Sequence, residues 1–81
     1  MKIAIIDYKM NNLHSVQAAC KKVGLNSIIT SDPNEIQNAK AAILPGVGSF
    51  GEAMLRLKDL KLDKSIYEFV ESGKFFFGIC L

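Results

Sequence analysis

A doubly wound α/β fold, one parallel sheet with helices on both faces, is what this sequence predicts. Three runs of mostly apolar residues, Lys2 to Ile6, Ala41 to Leu44 and Lys74 to Ile79, lack the alternation of a half-exposed strand. They read as strands buried on both faces, the pattern of a parallel sheet. The stretches between them repeat apolar residues at helical spacing. Strand and helix therefore alternate, which joins consecutive parallel strands through right-handed crossovers. With 81 residues, 49% of them apolar, there is room for a single small domain. A chain of this size buries roughly 60% of its unfolded surface, so the loss of any element is felt.

The elements follow in order. The opening run, Lys2-Ile-Ala-Ile-Ile6, ends at the polar Asp7. From Asn12 to Val23 the residues Leu13, Val16, Cys20 and Val23 form an apolar stripe, with His14, Gln17 and Lys21 opposite. Asn11 or Asn12 is placed as the N-cap, and Gly24 ends the helix in a left-handed turn. A short apolar stretch around Ser27 to Thr30 precedes a short helix opening at Asp32-Pro33, where proline suits the first helical position. The Ala41 strand leads through a glycine loop to a helix carrying Phe50, Met54 and Leu57. Another helix carries Leu62, Ile66, Phe69 and Val70 before Gly73 closes it. The chain then reads Phe75-Phe-Phe-Gly-Ile-Cys80-Leu81.

Composition narrows the function classes. Ten basic against eight acidic residues give +2, and the basic ones are scattered, so nucleic acid is not implied as a partner. No apolar run approaches the roughly 18 residues of a membrane span, and Asp7 interrupts the run that would serve as a signal peptide. The expected location is cytoplasmic, with no membrane partner. Cys20 and Cys80 are too few and too far apart for a metal-ligand or disulfide framework, so both are expected as thiols, with neither metal nor cofactor.

In such sheets ligands sit outside the carboxyl ends of the strands. That singles out Asp7 to Asn12, Pro45 to Gly51 and Cys80. Gly46, Gly48 and Gly51 satisfy G-x-G-x-x-G, but a dinucleotide site also needs an acidic residue about 20 positions on, at the end of the next strand. Asp63, Glu68 and Glu71 lie instead in a helical pattern, so the dinucleotide reading is weak. Three glycines do allow close backbone approach and N–H groups aimed at a developing negative charge, which a simple tight turn would not require. Gly78-Ile79-Cys80 begins a nucleophile elbow, where a strand turns into a helix whose N-terminus favours thiolate. Cys20, on the apolar stripe of the first helix, reads as core.

Ile5-Ile-Asp-Tyr8, Asn12-Leu13 with Ser15-Val16, Leu44-Pro-Gly-Val-Gly48 with Phe50-Gly51 and Ala53-Met54, and Gly78-Ile-Cys-Leu81 together resemble one family. It is that of the glutamine amidotransferase subunits of imidazole glycerol phosphate synthase, class I triad-type glutaminases. The resemblance covers the whole chain. Pro45-Gly46-Val47 is its most specific part, since related glutaminases usually carry Pro-Gly-Gly there. Two departures stand out: Lys9-Met-Asn-Asn12 replaces a glycine-containing turn, and Phe75 stands where proline is common.

The resemblance implies a flavodoxin-like sheet that breaks off here after the nucleophile strand, so that residues 1–81 form the N-terminal part of one glutaminase domain. It makes Cys80 the nucleophile toward glutamine, and backbone N–H groups of Leu81 and of the Val47-Gly48 strand the oxyanion hole. It assigns the ammonia to a (β/α)8-barrel cyclase subunit in histidine biosynthesis. Asn12 becomes a candidate for holding the oxyanion strand or touching the barrel, with helix capping as the plainer role. The family's His and Glu partners lie far downstream, and His14 is not the base. The 81 residues alone are therefore expected to be inactive, and Phe75 to Phe77 to present an exposed apolar face. Alternatives are a paralogous subunit supplying ammonia for surface-sugar synthesis, a non-catalytic nucleotide-binding α/β module and a vestigial protein.

Overall fold

The computed structural model describes residues 2–9, 13–46 and 50–79. Its elements run β1 (Lys2–Ile6), α1 (Leu13–Lys22), β2 (Asn26–Thr30), α2 (Pro33–Asn38), β3 (Ala41–Pro45), α3 (Phe50–Asp59), α4 (Leu62–Glu71) and β4 (Phe75–Ile79). The four strands form one sheet in the order β2-β1-β3-β4, every pairing parallel. The fold class expected from the apolar runs is the one observed, and the Ser27 to Thr30 stretch joins it as an outer strand.

Strand parity divides the core in two. Ala4, Ile6 and Ala42 face one way and pack with Ile36 and Ala39 around α2, Ala53 and Leu57 of α3, and Leu62 and Phe69 of α4. Ile3, Ile5, Ala41 and Ile43 face the other way, against Cys20, Leu13 and Val16 of α1. Helices thus cover both faces, three on one side and one on the other among the described residues.

Local chemistry explains the boundaries. Asp32 accepts the Asn34 N–H at 2.9 Å with Pro33 following, while Thr30 Oγ1 accepts the Asp32 N–H at 3.0 Å and donates to Glu35. The entrance to α2 is therefore held by side chains on both sides of its cap. Gly24 and Gly73 end α1 and α4 at φ of +83° and +84°, the left-handed conformation that glycine adopts without penalty.

Two residues assigned to apolar stripes turn out exposed. Val23 is 72% exposed because α1 stops at Lys22 and the chain is already turning, with the Leu25 N–H on the Cys20 carbonyl at 2.8 Å. Val70 is 51% exposed. The α4 stripe runs through Leu62, Ser65 and Phe69, and one further residue rotates about 100° away from it.

Candidate functional site

The chain leaves β1 for β2 on one side and returns to β3 on the other, so the order reverses between β1 and β3. A doubly wound sheet opens its binding crevice at such a switch, outside the carboxyl ends of the strands. The described residues at this place are Asp7, Tyr8 and Lys9 after β1, and Pro45 and Gly46 at the exit of β3.

These two exits are fastened together. Tyr8 follows Ala4 and Ile6 on the same face, which buries its ring, and its hydroxyl donates to the Pro45 carbonyl. Burial pushes the Tyr8 phenol above its ordinary value of 10, so the donor stays protonated at neutral pH. Lys9 takes a left-handed conformation, φ 70°, that glycine would adopt more easily. Its N–H donates to Asp7 Oδ1 at 3.1 Å. Its carbonyl accepts from Arg56 Nη1 at 3.2 Å, while Arg56 Nη2 pairs with Glu52 one helical turn back at 3.0 Å. Lys9 is thus held at both its amide and its carbonyl.

At the other side of the switch, β3 and β4 pair with Leu44 opposite Gly78 and Pro45 opposite Ile79. Paired strands lie about 4.8 Å apart. The glycine loop and the segment after Ile79 therefore leave from neighbouring strands at one sheet edge. Asn12, Val47, Gly48, Cys80 and Leu81, the residues the resemblance singles out, lie outside the described residues.

The remaining expectations concern described residues. Cys20 is buried in the core, and its carbonyl receives the Leu25 N–H just before β2 begins, which places it toward the amino edge of the sheet. His14 is exposed and lines an open cleft of about 380 Å³ between α1 and β2 with Gln17, Lys21 and Ser27, with both β1 and β3 lying between β2 and β4. Asp63, Glu68 and Glu71 all lie in α4, so no acidic residue ends the strand after the glycine loop, as a dinucleotide site would need. Among the described residues no three His, Cys, Asp or Glu side chains gather as metal ligands, and no helix is long and apolar enough to cross a membrane.

Sequence reasoning gave Tyr8 and Arg56 no role. The parity of Ala4, Ile6 and Tyr8 carries the burial of Tyr8, but the bonds to Pro45 and Lys9 span 37 and 47 positions and depend on how β1, β3 and α3 are arranged in space.

Comparison with known proteins adds the kinship. The chain is 49% identical over 79 residues to imidazole glycerol phosphate synthase subunit HisH of Rhodopirellula baltica, and 48% identical over 79 residues to that of Bacillus subtilis. The counterpart in Thermosynechococcus vestitus is 51% identical, also over 79 residues. Each match takes in 98% of this chain but only 37–38% of the relative, so the chain spans less than two fifths of the length of the curated relatives it matches. No family model matches. The resemblance read from the motifs is thus borne out along the chain, in the N-terminal part of those relatives.

Proposed function

We propose, with that resemblance to the glutaminase subunits of imidazole glycerol phosphate synthase as premise, that these residues supply the nucleophile and part of the oxyanion hole of a glutamine amidotransferase. The observation that carries the reading is the β3–β4 register, which starts the glycine loop and the elbow segment from adjacent parallel strands at one edge. A single tetrahedral intermediate has to touch both.

In this reading the Cys80 thiolate attacks the carboxamide carbon of glutamine. The oxyanion is held by the Leu81 N–H and, after a peptide reorientation, by the Val47-Gly48 strand. Collapse expels ammonia and leaves a glutamyl thioester, which water hydrolyses to glutamate and free thiolate. Proton transfer to the departing nitrogen needs a general acid. The resemblance assigns that acid to a histidine beyond these residues, and His14, the sole histidine of the sequence, is exposed on α1 and away from β4. The ammonia passes to a (β/α)8-barrel cyclase subunit that builds it into an imidazole ring.

The test grafts this chain onto the Bacillus subtilis relative in place of the segment it matches and assays glutamine-dependent ammonia release with that enzyme's partner subunit. Cys80→Ala is expected to lower kcat on the order of 10³-fold or more. Ammonia release indifferent to Cys80→Ala would overturn the reading. The same assay on the 81-residue chain alone, with the partner added, is expected to give no turnover above Cys80→Ala.

A further inference from the structure

We infer that Tyr8 and Arg56 are positioning residues, which set the loop after β1 and the exit of β3 in fixed relation at the mouth of the site. The inference deepens the glutaminase reading and rests on it.

Three observations carry it. The buried Tyr8 hydroxyl donates across the switch point to the carbonyl of Pro45, the last residue of β3 and the one paired with Ile79. Arg56, from the helix that follows the glycine loop, donates to the Lys9 carbonyl at 3.2 Å and is itself oriented by Glu52 at 3.0 Å. Lys9 sits in a left-handed conformation that a side chain disfavours, and such a conformation persists only where its surroundings over-determine it. The Asp7 carboxylate and the Arg56 guanidinium do so from its two sides. Neither Tyr8 nor Arg56 need meet substrate. Their effect is on where the backbone that follows Pro45 begins, and small misplacements of reacting geometry are costly in rate.

Such residues act on turnover more than on substrate affinity. In the grafted glutaminase with its partner subunit, Tyr8→Phe keeps the ring and removes only the donor. It is expected to lower kcat about tenfold with KM within about twofold, since an interaction serving mainly the transition state shows in kcat. Arg56→Gln is expected to lower kcat by less, and Arg56→Lys, which keeps a donor, to restore part of it. Tyr67→Phe, at an exposed tyrosine of α4, serves as the unaffected control. Circular dichroism and the active-site titre of each variant normalise kcat to folded protein. Cys80-dependent activity that Tyr8→Phe leaves within about twofold would overturn this inference alone. A normalised kcat equal to the parent, with the loss confined to the folded fraction, would overturn it too. Activity that survives Cys80→Ala would overturn the glutaminase reading and this inference with it.

Discussion

The two faces of the sheet are built differently. On the side of α2, α3 and α4 the strands meet a continuous layer in which Ile36, Leu62 and Phe69 are fully buried, and polar ties knit the helices together. Gln37 Nε2 donates to the Ser65 carbonyl at 2.6 Å, and Lys74 Nζ donates to the Gln37 carbonyl while lying 5.2 Å from the centre of the Phe69 ring. On the other side α1 lies over β1 and β2, its cluster extends to the buried Ala41 and Ile43 of β3, and among the described residues the cover ends before β4. Phe75 and Phe77, on the α1 face of β4, stack on each other with centroids 6.5 Å apart and remain 75% and 56% exposed. Phe76, between them, turns to the covered face and meets Phe69 at 6.4 Å. One strand of three consecutive phenylalanines thus reports both environments, and identical residue types contribute according to the layer above them.

The largest expected effect tests the covered face. Phe69→Ala should destabilise by about 3–5 kcal/mol, because it leaves a cavity under α4, whereas Phe77→Ala should cost under about 1 kcal/mol. Urea unfolding of both variants measures the difference, and equal shifts would erase the contrast between the faces. A second effect comes from Tyr8, whose phenol is raised by burial on the covered side. The stability this neutral phenol contributes is present in full below pH 10, where the unfolded chain also keeps its proton. It is lost as the pH rises from there through the higher folded value, at up to about 1.4 kcal/mol per pH unit. Unfolding midpoints measured from pH 8 to 11 should therefore fall faster for the parent than for Tyr8→Phe. The smallest effect on stability sits on the open face. Phe75→Ser with Phe77→Ser should change the unfolding free energy by about 1 kcal/mol or less, yet reduce self-association in sedimentation, since a large exposed apolar patch is what associates.

The fold was readable because a parallel sheet buried on both faces writes itself as apolar runs. Lys2 to Ile6, Ala41 to Leu44 and the Phe75 strand could be read without any partner in view, and Asp32-Pro33, Gly24 and Gly73 mark helix ends through chemistry that is local. Val23 and Val70 misled because an apolar residue beside a stripe looks like part of it, and only the end of α1 or the rotation of α4 decides. Of the three phenylalanines expected on an exposed apolar face, Phe75 and Phe77 are exposed while Phe76 packs on the covered side, a split that strand parity decides. The fastening of Tyr8 to Pro45 and of Arg56 to Lys9 left no trace in periodicity, since both bonds depend on β1 and β3 being neighbours. For the site, the sequence located the sheet edge and its loops, and the structure adds the anchors on either side of the candidate residues.

The strand order also bears on how the molecule is made. Reading β2-β1-β3-β4 in sequence order, each strand docks against one already synthesised: β2 beside β1, β3 on the free side of β1, and β4 beside β3. Among the described residues no strand has to wait for a later one to be inserted between itself and its neighbour. Chains emerge from the ribosome at about 5–20 residues per second, slow against the microseconds to milliseconds in which short elements collapse. The sheet can accordingly grow outward from β1 during translation. The exposed apolar surface on a nascent chain then travels with its most recent strand, and Phe75 and Phe77 are where it stands once β4 has been laid down.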